Sequence, residues 1–367
     1  MAEHDLEDLR WATSERRLVE AIRDEILAAP EGRITFARFM QRALTEPGLG
    51  YYATSAERPT REGDFLSAPE LHPLFGRCIG RFVASAREHA GRPAPYRIHE
   101  YGAGRGTLRD SAMVELEPSV TWARIDLPGR GDGYPDEHSA ADLVLANEYL
   151  DALPVHRLMQ ADRLLEAWVS WQDGWFAEVT AAPSTAALAD HLEADGVRLR
   201  EGQRAEVCLA APAWMEQVAA TLAPGGVILV IDYGHDAAEL HGPKRLAGSL
   251  LTYREHRVGD DPFDAVGHAD ITAHVDISAL ERAAATAGLA LVGATSQARF
   301  LVALGLGESL AELGRRPETD AADYLEARSS VAGLLDPRHL GAFRVLAWAR
   351  PDADGTVPAL PGFEAAP

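Results

Sequence analysis

"HEYGAGRGTLRD" occupies His99–Asp110. The residues just before and into it, "YRIHEY" (96–101), read as a strand, and Gly102, Gly104 and Gly106 follow at every second position. Glycines this close let a backbone turn sharply or lie against a ligand. The dinucleotide fingerprint G-x-G-x-x-G sets its third glycine one place later, a spacing that serves a pyrophosphate at a helix N-terminus. Here the spacing is E-x-G-x-G-x-G, with Glu100 two places before the first glycine. A carboxylate at that point suits a cationic ligand better than a phosphate. A tight strand-to-helix turn that binds nothing is the plainer alternative.

Downstream, helices and strands alternate. "VTWARIDL" (120–127) is a second candidate strand. "ADLVLANEYLDALP" (141–154) begins as a buried strand and ends in polar residues. "GGVILVIDYG" (225–234) is an apolar run stopped by Asp232, preceded by the helix of "APAWMEQVAATLAPGG" (211–226). This order predicts a doubly wound α/β sheet, in which ligands sit beyond the carboxyl ends of the strands. The glycine loop, the Asn147–Asp151 cluster and the Asp232-Tyr233 pair all fall at such ends.

Residues 1–92 read as an N-terminal helical region. Leu18, Ile22 and Ile26 line one helix face, and Thr35 caps a helix with Phe36, Phe39, Met40 and Leu44 on its apolar side. A single helix is expected through "SAPELHPLFGRCIGRFVASAREHA" (67–90), with Cys78 in its core face. Residues 93–350 read as the α/β core. Within it, Asp173-Gly174 marks a hairpin in an insertion at about 155–205, and residues of about 236–275, lacking periodicity, read as a loop insertion. A helix at 278–287, another near 321–335 and a final strand in "AFRVLAWAR" (342–350) follow, and 351–367 reads as a flexible tail.

Length, at 367 residues, suits one large domain or two. The formal net charge of −21 argues against gripping nucleic acid or an anionic membrane through the general field. No window reaches the ~20 apolar residues of a membrane span. The acidic start "MAEHDLEDLR" resembles neither a signal peptide nor an arginine-rich presequence. Two separated cysteines, Cys78 and Cys208, imply no disulfide framework. The expected location is cytoplasmic.

The segments "GRITFARFMQRALTEPGLGYY" (32–52), "GDFLSAPELHPLFG" (63–76), "HEYGAGRGTLRD", "LANEYLDALPVHRL" (145–158), "LVIDYGH" (229–235), "GHADITAHVDISAL" (267–280) and "AFRVLAWAR" occur in this order. Together, over about residues 18–349, they closely resemble the MidA-like family, whose mitochondrial members are methyltransferase-type assembly factors of respiratory complex I. The resemblance implies a class I, Rossmann-like methyltransferase fold, S-adenosyl-L-methionine as cofactor and a protein arginine as substrate. S-adenosylmethionine carries a cationic ammonium and sulfonium and no phosphate, in keeping with the loop's acid. Glu100, Gly102, Gly104, Gly106, Asp126, Asn147 and Asp64 are then the expected cofactor-binding residues. One departure stands out: only about forty residues separate Gly106 from Asn147, fewer than is usual in the family. Asp126 is the candidate ribose-binding acid, at the usual ~20-residue spacing from the loop. Alternatively Trp122 matches a tryptophan of the family's third strand, and the ribose acid is missing.

Glu148 and Asp151 are the expected catalytic pair, since a carboxylate pair can grip a guanidinium and stabilise charge as it reacts. The competing reading is that both cap a following helix. Glu70, Asp232, Tyr233 and His274 are expected on the substrate side. His268, Asp270, His274 and Asp276 do not follow a familiar ligand spacing, and no metal is expected. The competing functions are a small-molecule methyltransferase and a non-catalytic assembly protein that keeps the fold; a nicotinamide oxidoreductase is disfavoured by the glycine spacing. The partner is expected to be a protein substrate. Oligomeric state is not legible.

Overall fold

The computed structural model describes residues 10–54, 67–91, 94–133, 140–255, 257–317, 319–352 and 354–363. These form two compact units that share the chain in alternation. One comprises the described residues of Met1–Phe65, Asp151–Ala213 and Gly234–Leu280; the other comprises those of Leu66–Leu150, Trp214–Tyr233 and Glu281–Pro367. The expected boundary at residue 92 therefore gives way to an interleaved division. Its cause is burial. Each amphipathic helix must cover an apolar sheet face, and the early helices cover different sheets.

The unit holding the glycine loop is built on six strands: β1 (Tyr96–Tyr101), β2 (Val120–Ile125), β3 (Ala141–Asn147), β4 (Leu222–Asp232), β5 (Ala290–Ser296) and β6 (Arg344–Ala349). Their order is β5-β6-β4-β3-β1-β2. β2, β1, β3 and β4 run parallel, and β6 is antiparallel to both β4 and β5. Every residue of β3 is buried, as a central parallel strand covered on both faces requires. The chain leaves β1 towards β2 on one side and later fills β3 and β4 on the other. That makes the β1/β3 boundary the topological switch point, where the strand ends open a crevice.

Helix Pro73–Ala90 packs Phe75, Ile79 and Phe82 into the core with Ile98, Leu143, Leu229, Phe300 and Val345. Its glycines permit close approach to helix Thr107–Ala112: a Cβ on Gly76 would lie 1.9 Å from Ser111 Oγ, and one on Gly80 would lie 2.4 Å from the Ala112 carbonyl. The expected single helix at 67–90 is interrupted. A short helix, Ala68–Leu71, ends at His72, which is extended because Pro73 disfavours a helical residue before it. Cys78 is fully buried and its thiol is pushed up to about 12 by burial, the state of an inert core cysteine. The expected loose tail is partly packed: Leu360 is buried, and the Phe363 ring lies 5.4 Å from that of Phe300.

The other unit carries an antiparallel sheet. Its long strand, Leu164–Gln172, pairs on one edge with Trp175–Ala181. On the other edge it pairs with His156–Gln160 along its first part and with Arg33–Thr35 further on, and Arg204–Val207 extends the sheet. The expected hairpin is present, and Asp173 and Gly174 both have positive φ (47° and 81°), the signature of a two-residue turn matched to strand twist. Helices Arg16–Ala28 and Phe36–Thr45, the latter capped by the Thr35 side chain, bury Leu18, Ile22, Phe36 and Phe39 with Val169, Trp175, Phe176 and Phe263. The stretch expected as a loop at about 236–275 contains real pairing: Leu251–Arg254 lies between Arg257–Gly259 and Asp270–Thr272, and Gly234–His235 pairs with Val275–Asp276. These strands are two to four residues long, too short for a period-2 pattern to emerge. Among the described residues, no helix is long and apolar enough to cross a membrane.

Candidate active site

β1 runs into the glycine loop at the switch point. Gly102, Gly104 and Gly106 have φ of 67°, 52° and 81°, a left-handed path that other residues resist. Gly102 also makes room: a Cβ there would lie 2.9 Å from the Tyr149 ring. At Gly104 a Cβ would meet no atom of the described residues within 4 Å, so the loop presents bare backbone free of contact with them.

Two acids flank the loop. Glu100 is 3% exposed, and its Oε2 accepts the Trp122 indole N–H at 2.7 Å. Burial pushes its carboxyl from the ordinary 4.5 up to about 7, partly opposed by that bond and by Arg109 and Arg124. Asp126 follows β2, the strand hydrogen-bonded to β1. Its Oδ2 accepts from Gly104 N–H and its Oδ1 from Leu127 N–H, both at 2.6 Å. The carboxylate thus shapes the loop and keeps lone pairs for further donors, since a carboxylate offers about four acceptor sites. Trp122 sits on this same strand, beside β1. Among the described residues of 126–133, the chain makes turns and no helix on its way towards β3.

Asn147 closes β3. Its Nδ2 donates to Glu148 Oε1 at 3.1 Å, while its buried Oδ1 has no hydrogen-bond partner among the described residues. Glu148 has a left-handed φ of 51°, uncommon for a residue with a side chain and a form of strain that concentrates at functional sites. Its backbone N–H donates to the Ile231 carbonyl at 2.9 Å, and its Oε1 accepts from Ala68 N–H at 2.8 Å. The reading that Glu148 and Asp151 cap a following helix is not met: the next element is the strand His156–Gln160. Glu148 instead holds the first residue of helix Ala68–Leu71, which carries Glu70. Burial raises the Glu70 carboxyl, and the charge of Arg105 in the glycine loop partly offsets this. Asp232, 1% exposed, fastens the end of β4 to this region, its Oδ2 accepting from Leu150 N–H and its Oδ1 from Tyr233 N–H, both at 2.9 Å. The Tyr233 ring packs on Phe343. Asp64 lies outside the described residues.

Asp151 belongs to the other unit, as the chain passes between units after Leu150. It is buried, and its carbonyl accepts from Ala273 N–H at 3.0 Å. Near it, Tyr52 donates to Asp270, 2.9 and 3.0 Å from the two carboxylate oxygens. Burial and then the charges of Asp270 and Asp151 hold the Tyr52 hydroxyl well above its ordinary range, and Tyr253 is raised by the same three causes. A patch of two acids and two tyrosines is thus assembled from "GLGYY", "LDALP", "LLTYR" and "GHADIT". His274 lies elsewhere in this unit, stacked on His235 with centroids 5.2 Å apart. Burial, Arg245 and His235 depress it to about 4, so it is neutral at physiological pH.

A family model described as "Putative S-adenosyl-L-methionine-dependent methyltransferase" matches residues 118–295. A Burkholderia thailandensis protein, described as a "likely methyl transferase" and solved bound to S-adenosyl-homocysteine, is 33% identical with a TM-score of 0.82, over 97% of this chain and 95% of that one. The chain belongs to this MidA-like family of S-adenosylmethionine-dependent methyltransferases. A second, native crystal structure of a member of the same superfamily from B. thailandensis is 31% identical, with a TM-score of 0.77, over 97% of this chain and 94% of that one. "Protein arginine methyltransferase NDUFAF7 homolog, mitochondrial" of Drosophila melanogaster is 28% identical over 90% of this chain and 84% of its own length. The mouse "Protein arginine methyltransferase NDUFAF7, mitochondrial" is 27% identical over 84% and 79%.

The family's cofactor fits the residues at the switch point. The open face at Gly104, the unpartnered acceptor of Asn147 and the acids Glu100 and Asp126 together match a ligand with hydroxyl donors and a cationic end. Asp126 suits the ribose hydroxyls; Asn147 Oδ1 and Glu100 suit the ammonium end. Two residues have no role in the sequence expectations: Tyr149, whose ring explains Gly102, and Tyr52, which donates to Asp270. An aromatic pair at the end of "GLGYY" was the available signal for Tyr52.

Two expected results follow from this geometry. Asp126→Ala should weaken S-adenosylhomocysteine binding by about 1–3 kcal/mol, the cost of a lost charge-assisted bond; calorimetry on the folded variant checks it, and an unchanged dissociation constant would clear Asp126 of the role. Glu100 should make binding pH-dependent. With its carboxyl at about 7, roughly a tenth is ionised at pH 6 and nine-tenths at pH 8, so affinity for a cationic ligand should rise about tenfold across that interval. Glu100→Gln should flatten the profile. The sign for stability is opposite. The folded state binds the proton more tightly than the unfolded state, so stability without ligand falls as pH rises from about 4.5 to about 7.

Proposed function

We propose that this chain transfers the methyl group of S-adenosylmethionine to an arginine side chain of a protein partner. Glu148 carries the reading: a strained acid fixed by Ala68 and Asn147 at the end of β3, beside the glycine loop. The relatives named protein arginine methyltransferases support the substrate class.

The cofactor, when bound, supplies an electrophilic methyl carbon on its sulfonium. The protein's task is to bring a weak nucleophile into line with it. A protonated guanidinium attacks poorly, and carboxylates suit it for two reasons. They hold its planar N–H groups in one orientation, which supplies much of the effect in an in-line displacement. They also stabilise positive charge and accept the proton that the attacking nitrogen gives up. Glu148 is assigned that role.

The test uses S-adenosylmethionine labelled in its methyl group, the purified protein and extract from a strain lacking it. Labelled methylarginine in hydrolysed protein is the expected product. Label confined to small molecules would identify a metabolite methyltransferase. No label in any fraction, with cofactor binding demonstrated, would identify an assembly protein.

A further inference from the structure

In the unit built on the antiparallel sheet, four buried side chains converge where three segments meet. His191 lies on helix Ala187–Ala194 and Asp195 follows it one turn later. His241 ends helix Ala237–Leu240, and Asp276 ends the strand Val275–Asp276. Their side chains are 7%, 0%, 3% and 10% exposed, respectively.

His191 Nε2 is 3.3 Å from Asp276 Oδ2 and 3.4 Å from Asp195 Oδ2. A ring nitrogen carries at most one hydrogen, so it can make at most one good bond to these two oxygens. Both distances also exceed the about 2.7–2.9 Å of a charge-assisted N–H···O bond. His241 Nε2 stands 3.9 Å from the same Asp276 oxygen and has no hydrogen-bond partner among the described residues. A buried imidazole nitrogen thus stands near the Asp276 carboxylate beyond hydrogen-bond distance, a costly arrangement unless something else satisfies it.

A tetrahedral ion would satisfy it. Zinc binds histidine nitrogen and carboxylate oxygen at about 2.0–2.2 Å, which sets neighbouring donors about 3.4 Å apart. The two His191 distances have that length, and the donor atoms of His191, Asp195 and Asp276 all lie within 4.8 Å of one another. The supports are in place. Asp276 Oδ1 accepts from Ala279 N–H at 3.1 Å, which turns Oδ2 to the cluster. The His241 carbonyl accepts from Gln203 Nε2 at 2.9 Å, which fixes that segment.

We propose that His191, Asp195 and Asp276 hold one structural zinc ion, with His241, 3.9 Å from Asp276, as the neighbouring side chain that completes its coordination. Three grouped donors and His241 beside them would fill a tetrahedral ion's positions, so the ion pins the three segments and takes no part in methyl transfer. None of the four belongs to the assigned cofactor or catalytic residues. The spacing of His268, Asp270, His274 and Asp276 along the chain predicts no metal. The proposed set shares only Asp276 with that group, because the ligands come from three separate segments.

The experiment takes full-length protein without an affinity tag, stripped with a chelator and titrated calorimetrically with Zn²⁺, and with Co²⁺ followed by visible absorption. The expected result is one ion per chain, a tetrahedral Co²⁺ spectrum and a thermal midpoint that rises with Zn²⁺. Asp276→Asn should abolish binding. Asn keeps the oxygen that accepts from Ala279 N–H, so the helix cap survives; His241→Gln is the second variant. It should leave the stripped protein's thermal midpoint and S-adenosylhomocysteine affinity unchanged, yet weaken Zn²⁺ by at least about 10-fold. Failure of the wild type to take up a stoichiometric ion, or equal uptake by both variants, would overturn the proposal.

Discussion

Glu148→Gln should lower methyl transfer by about 100-fold or more while leaving S-adenosylhomocysteine affinity within about twofold, the magnitude usual for a lost acid–base or charge-stabilising group. The substitution keeps the side chain's size and its carbonyl oxygen. The Ala68 N–H, now 2.8 Å from Glu148 Oε1, therefore retains an acceptor. Helix Ala68–Leu71 should stay in place, and thermal stability should change little. What is lost is the negative charge and the ability to take a proton. Single-turnover rates with labelled cofactor read the effect directly, and a parallel binding titration separates it from cofactor loss. A full rate in a variant that binds cofactor normally would remove Glu148 from the chemistry, whatever the substrate proves to be.

Gly104→Val should abolish cofactor binding, with the thermal upshift induced by S-adenosylhomocysteine lost and affinity reduced more than about 100-fold. Two effects combine. A β-branched residue at φ of 52° is strained by about 1–2 kcal/mol. The isopropyl group would also stand in the space before the loop, where a Cβ meets no atom of the described residues within 4 Å. That second point makes the prediction sharp, because the protein itself has no clash to relieve. The variant should fold with a modest loss of stability and fail only towards its ligand. NADH should stabilise neither the wild type nor the variant. Normal S-adenosylhomocysteine affinity in a folded Gly104→Val protein would place the cofactor elsewhere.

The sequence alone carried much of the sheet. Apolar runs that stop at Asn147 and Asp232 marked β3 and β4, since a strand covered on both faces must be apolar and must end where the chain meets polar surroundings. Thr35 announced a helix cap, and Asp173-Gly174 announced a turn, because both depend on a few consecutive residues. Glu100 and the three glycines stood out by their spacing at a strand end, whereas Asp126 and Asn147 were expected as cofactor residues through the family resemblance.

What the sequence could not decide was which distant residues meet. The antiparallel pairing of β6 with β4 and β5, the short strands within residues 251–272 and the alternation of the chain between two units rest on contacts far apart in sequence. So do the bond from Glu148 to Ala68, the bond from Trp122 to Glu100, and the convergence of His191, His241 and Asp276. The physical reason is common to them all. Periodicity, caps and turns are written in neighbouring residues, whereas a buried polar group takes whichever partner the completed core places within about 3 Å of it. The class of fold and the cofactor loop were fixed locally, by the order of residues along the chain. The charge of Glu100, the strain at Glu148 and the gathering of the buried acids were decided only when the tertiary structure closed around them.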